Sequence, residues 1–159
     1  MRIVIDTNIW VKAFVEKELE LDCIEAFSMF SVDDSMVLSL DDKGEILREY
    51  RDNIKNNRRF ELEWKKLGQR NRLWYTTSKL DRRIIERLDE LDFQEAEDRI
   101  FVGVALHSDK VIVTEDSDYG AKGEEDYKRV FEYMRDMLGL RVYSSNKFCE
   151  EQRKENDLE

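Results

Sequence analysis

Apolar residues fall along this chain in two alternating rhythms. Ile3-Val4-Ile5 and Val111-Ile112-Val113 are unbroken β-branched runs, the composition of strands buried on both faces of a parallel sheet. Met36–Leu40 and Leu140–Tyr143 are two further short runs that predict strands. Between them the period changes to that of a helix. Ile9, Trp10, Ala13 and Phe14 predict a helix from about Thr7 to Lys17, and Leu21, Ile24, Phe27 and Phe30 a second over 19–30. Ile46, Leu47, Tyr50 and Ile54 extend a third from Asp41 to about Asn56. Further helices are predicted over 58–67, 80–91, 94–107 and 124–138, the last closed by Gly139. Residues 68–78 read as a loop, and the chain from Asn146 as a charged tail with a fraying helix. Strands alternating with helices, without a Pro- or Gly-rich linker, predict an α/β fold: a three-layer α/β/α sandwich around a central parallel sheet. One domain is expected over residues 1–145, with a tail over 146–159.

Composition narrows the chemistry. With 41% hydrophobic and 40% charged residues, the chain of 159 residues is expected to be globular. No apolar run has the length of a membrane span and the first residues lack a signal-peptide pattern, so a cytoplasmic protein without membrane contact is expected. His107 is the one histidine, and Cys23 and Cys149 have no metal-type spacing. Histidine-based acid–base chemistry and a zinc centre are therefore disfavoured, and carboxylates must carry any reaction. The net charge of −10 opposes general attraction to nucleic acid. Residues 51–87 depart from that balance, with 12 Lys/Arg against 5 Asp/Glu. An acidic body with one basic helical region, over about 51–91, is expected.

Four carboxylates fall where a parallel sheet would gather them. Asp6 follows the first strand, in Asp6-Thr7-Asn8, a sequence that equally suits a helix N-cap. Asp116 follows the third predicted strand, with Asp118 two residues beyond. Glu45 lies one turn into the helix after the second, and Asp98 near the start of the helix leading into the third. Strand ends of a parallel sheet share one rim, which is where open α/β sheets build their sites. A bare cluster of like charges is destabilising, so a cation is expected to hold it. All-oxygen donors select Mg²⁺ or Mn²⁺. Asn8 and Thr114 are placed to orient the carboxylates or a metal-bound water. Single acids here are not distinctive, since Asp42, Glu49 and Glu115 sit nearby among 37.

Taken in order, Val4-Ile5-Asp6-Thr7-Asn8, Gly44-Glu45-Ile46-Leu47, Glu97-Asp98-Arg99-Ile100-Phe101 and Val113-Thr114-Glu115-Asp116-Ser117-Asp118 resemble the four acidic motifs of PIN-domain nucleases. The resemblance spans roughly residues 1–143. It implies a PIN-like fold whose catalytic and metal-holding acids are Asp6, Glu45, Asp98 and Asp116, joined by Asp118 at the metal. It further implies Mg²⁺- or Mn²⁺-dependent endonucleolytic hydrolysis of phosphodiester bonds in single-stranded RNA. Many small members are toxins of the VapC type, so a small antitoxin and a homodimer are further implied partners. The long helical region distinguishes this chain from the smallest toxins.

The basic region has the sign needed to track phosphates, through Arg51, Arg58, Arg59, Lys65, Lys66, Arg82 and Arg83. Trp64, Trp74 and Tyr75 could stack on unpaired bases, or pack inward while the cations face water. Two other readings stay open: a DNA-directed or flap-type nuclease, and a non-catalytic PIN-fold protein that binds a partner.

Overall fold

A computed structural model describes all of residues 1–159. Five strands form the centre: β1 (Arg2–Ile5), β2 (Val37–Asp41), β3 (Leu73–Thr76), β4 (Val111–Val113) and β5 (Arg141–Tyr143). They are ordered β3-β2-β1-β4-β5 and every neighbouring pair is parallel. Around them lie α1 (Thr7–Phe14), α2 (Leu21–Val32), α3 (Glu45–Asn53), α4 (Arg58–Gln69), α5 (Arg82–Glu90), α6 (Ala96–Leu106), α7 (Lys128–Glu132) and α8 (Ser145–Asp157). This is the expected three-layer α/β/α sandwich. No helix is long and apolar enough to cross a membrane.

The sheet explains the unbroken apolar runs. Ile3, Val4, Ile112 and Val111 are fully buried because helices cover both faces. On one face Trp10 of α1 anchors an aromatic cluster with Phe27 of α2, Tyr50 of α3 and Phe60 and Trp64 of α4. On the other, α6 packs across β1, β2 and β4. The chain leaves β1 for β2 and β3 on one side, then returns across the sheet to β4 and β5. The carboxyl ends of β1 and β4 therefore flank the topological switch point, where such sheets open a crevice.

Four elements differ from the sequence expectation. Leu73-Trp74-Tyr75-Thr76, inside the stretch read as a loop, is the edge strand β3, paired in register with Leu38–Asp41. It is short and half-exposed, so it lacks the strong apolar signal of the inner strands. The third helix starts at Glu45 rather than Asp41, because both Asp41 carboxylate oxygens accept hydrogen bonds at its first turn, from the Glu45 and Ile46 backbone N–H groups. Gly44, at φ +77°, makes the turn that allows this. The expected helix over 124–138 is instead a 3₁₀ turn at Glu125–Tyr127, then α7, then a π-turn at Tyr133–Met137. The tail forms a helix as expected, α8, but its first turns are fixed to the body of the protein: Ser144 caps it, Phe148 and Cys149 are buried, and it packs along α2.

Gly103 sets how closely α6 approaches the chain between β3 and α5. A Cβ there would lie 1.9 Å from the Ser78 carbonyl oxygen, which is backbone and cannot swing aside. Gly103→Ala is expected to lower the melting temperature by about 5–10 °C, from the cost of overpacking a close contact. A thermal melt within a degree of the parent would contradict this approach of α6 to Ser78.

Candidate metal centre at the sheet switch point

Asp6 directly follows β1 and does two things at once. Its Oδ1 accepts the Thr7 backbone N–H at 2.7 Å, capping α1, and its Oδ2 accepts the Thr114 hydroxyl at 2.6 Å. The N-cap reading of this residue is therefore met, and the same side chain also binds the residue that follows β4. Thr114, buried at the end of β4, also accepts the Asp116 backbone N–H at 3.0 Å. One hydroxyl thus ties the two strand ends together and fixes the direction of the Asp6 carboxylate. Asp116 begins the next turn, where its Oδ1 accepts the Asp118 N–H at 2.9 Å. Tyr119, buried just beyond, donates from its hydroxyl to the Asp98 carbonyl at 3.2 Å and so holds the first turn of α6 against the rim.

The result is a convergence of three distant stretches. Asp6, Asp98 and Asp116 each offer a carboxylate oxygen within 4.8 Å of the others. Together with Thr7, Asn8 and Glu49 they line a cleft of about 320 Å³. Burial, above all, pushes the Asp6 carboxyl up to about 7, with Asp116 and Glu49 adding repulsion against the Thr114 hydrogen bond. Asp98 is pushed up to about 8, again first by burial and then by the charges of Asp6, Asp116 and Asp118. Burial likewise raises Asp116 and Glu49.

Not every expected residue arrives here. Glu45 lines a neighbouring cleft between α3 and α6, with Arg48, Asp52 and Glu97. Glu49, one helical turn further, is the α3 acid that lines the aspartate cleft, and its Oε1 accepts the Thr7 hydroxyl at 2.8 Å. The later start of α3 accounts for the displacement: the acidic face is as expected, but a different turn of it faces Asp6. Asp118 is not among the three converging acids, and acts on them through its charge and its hydrogen bond to Asp116. Asn8 lines the cleft and accepts the Glu115 N–H at 3.2 Å, securing the loop after β4.

Of the basic region only Asn53 lines this cleft, and none of the region's predicted substrate-contacting residues does. Trp64 belongs to the aromatic cluster, stacked on Phe60 at 6.0 Å, so it packs inward rather than offering a face to a base. Trp74 lies beneath the Arg2 guanidinium, 4.1 Å from its ring centre. Arg51 pairs with Glu61 and Arg82 with Glu86, while Arg59 lies over Phe14. Arg58, Lys65 and Arg83 are exposed, Lys66 half-buried. Arg72 is a structural residue: it is buried, and its guanidinium donates to the Met36, Ser31 and Phe30 carbonyls. Nothing in the charge pattern separates it from its exposed neighbours.

The donor set suits a hard divalent cation. It is all carboxylate oxygen, without nitrogen or sulfur. No hydrogen bond to the Asp98 carboxylate offsets the repulsion it meets, and Asp116 keeps Oδ2 outside its internal bond. Those lone pairs remain available to an ion. No protein-family model matches this chain, and no curated protein matches it.

Proposed function

We propose that this chain is a Mg²⁺- or Mn²⁺-dependent nuclease of the PIN-domain kind, acting on single-stranded RNA. The observation that supports it best is the meeting of Asp6, Asp98 and Asp116 within 4.8 Å at the sheet's switch point, from three separate elements. Such a cluster, with Asp6 buried and Asp98 and Asp116 half-buried, destabilises the fold unless a cation or protons neutralise it. When bound, a divalent cation supplies charge neutralisation at a phosphate and lowers the pKa of a water.

The residues of the chain divide the remaining work. Asp6, Asp98 and Asp116 hold the ion, and Thr114 aims Asp6 by its short hydrogen bond. Thr7 orients Glu49 through Oε1, leaving Oε2 to accept a proton from an attacking water in the cleft. Its raised pKa places Glu49 nearer to the operating pH than an exposed glutamate, which favours that proton transfer.

The test is digestion of single-stranded RNA, single-stranded DNA and a flap substrate in parallel, with Mn²⁺ or with EDTA. Cleavage of the RNA alone is expected, dependent on the metal. Asp6→Asn and Glu49→Gln are each expected to lose activity about a hundredfold or more, and Glu45→Gln to keep it. Preferential cutting of DNA or flaps would assign the substrate differently. No cleavage of any of the three would leave a PIN-fold binding protein and end the nuclease reading.

A further inference from the structure

The acid cleft has one cationic side chain among its lining residues, and it is not used on the acids. Thr7, Asn8, Val11 and Lys12 all face the cleft from α1, as residues one turn apart on a helix do. Thr7 and Asn8 hold Glu49 and the loop after β4. Lys12 bonds to neither group. Its Nζ pairs instead with Glu20 Oε1 at 3.0 Å, an acid that is not among the lining residues of the cleft. Glu20 is itself tethered to Lys12, since its backbone N–H donates to the Lys12 carbonyl at 2.9 Å.

A phosphodiester entering this cleft meets Asp6, Asp98, Asp116, Glu49 and Glu18. The continuation between α3 and α6 is no more welcoming, with Glu45, Asp52 and Glu97 against Arg48. Beyond an ion held by the three aspartates, positive charge on the wall of the aspartate cleft itself has one source, the Lys12 ammonium. The side chains of Lys12 and Glu20 are 28% and 49% exposed, and a pair so open to water is held weakly. An ammonium–phosphate contact in a cleft with less water is stronger. The lysine is therefore poised to exchange one anion for another.

We propose that Lys12 is the phosphate-binding side chain of this cleft: it leaves Glu20 to contact a non-bridging oxygen of the phosphodiester held beside the aspartate cluster. The inference rests on the nuclease reading above and adds to it the residue that fixes the substrate and the carboxylate that competes for that residue. It places the substrate strand over the α1 side of the cleft instead of over the basic region.

Steady-state cleavage of a randomised single-stranded RNA decamer with Mn²⁺ tests this. Lys12→Met, which keeps the aliphatic stem, is expected to raise KM about tenfold with kcat within about threefold, and Lys12→Arg to stay near the parent. Glu20→Gln is expected to do the opposite, lowering KM at low salt, because it frees the ammonium. The Mn²⁺-induced rise in melting temperature should be unchanged in Lys12→Met. A lysine that only ties down the 15–20 segment would make Lys12→Met and Glu20→Gln change KM in the same direction, and that result, or an unchanged KM in Lys12→Met, overturns the proposal. Parent protein and Asp6→Asn report separately on the nuclease reading: Asp6-dependent cleavage that ignores Lys12 overturns this inference alone, and no Asp6-dependent cleavage overturns both.

Discussion

Asp98→Asn is expected to abolish metal-dependent cleavage and, in the same protein, to raise the melting temperature of the metal-free form at pH 8. The two effects have one origin. Asp98 is half-buried and faces the charges of Asp6, Asp116 and Asp118, which together with burial push its carboxyl up to about 8. Ionising it in the metal-free cleft works against the fold. Asparagine keeps the shape and removes the charge. Relief of about 1–2 kcal/mol corresponds to about 2–6 °C for a chain of this size. The same substitution deletes a donor from the cation site. Outer-sphere partners of metal ligands already cost 10–100-fold in affinity or activity, so loss of the ligand itself is expected to cost about a hundredfold or more. Melting curves in EDTA at pH 8, alongside cleavage assays, read both. A variant that is inactive and also less stable than the parent would make Asp98 an ordinary structural residue.

Topology explains why the convergence of Asp6, Asp98 and Asp116 could be read from sequence. Asp6 and Asp116 are bound to the ends of apolar β-branched runs, and the ends of parallel strands share a rim whatever the details of packing. Asp98 sits near the start of a helix that must cross the sheet to feed β4. Such positions follow from topology. The α3 acid does not, because it depends on where a helix begins. Asp41 is turned back to cap α3, and Gly44 takes a left-handed conformation. That start puts Glu49, not Glu45, beside Thr7. Periodicity gives the acidic face of α3 but not the turn along it.

The basic region shows the same limit. Its charge excess is a property of composition, and composition does not distinguish a cation facing a ligand from one holding the fold. Arg72 serves three backbone carbonyls in the interior, and Trp64 completes the aromatic cluster around Trp10. β3 was hidden for a related reason: it is an edge strand with only partial burial, so its sequence need not be uniformly apolar. Lys12 had no signal at all in the sequence. Its place in the cleft comes from α1 turning a single face toward Asp98 and Asp116, residues that lie far along the chain.

The metal-free protein is expected to lose stability as pH rises from 5 to 8, opposite to the usual behaviour of paired carboxylates, and Mn²⁺ is expected to reverse the trend. Asp6 and Asp98 have folded-state pKa values of about 7 and about 8, against ordinary values of 3.8, and Asp116 and Glu49 are raised with them. Between about pH 4 and pH 8 the folded chain therefore binds more protons than the unfolded chain, so unfolding becomes easier as protons are withdrawn. The protons belong to the cluster as a whole, and the loss is spread over that window. Asp33 and Glu115 are shifted the other way, by the Ser35 hydroxyl for the first and by Lys122 and Ser145 against burial for the second. Their stabilising contributions are complete above about pH 5 and do not alter the slope. A fall of about 5–10 °C in melting temperature is expected across the window in EDTA. A cation binds only the deprotonated cluster, so Mn²⁺ should add little at pH 5 and, at about a hundred times its dissociation constant, about 2.7 kcal/mol at pH 8. Melting curves at pH 5, 6, 7 and 8, with EDTA and with Mn²⁺, make the comparison. Metal-free stability that rises toward pH 8 would mean that the cluster does not hold its protons above the ordinary carboxylate range, and a Mn²⁺ shift that persists in Asp6→Asn would mean that these three aspartates do not share one ion.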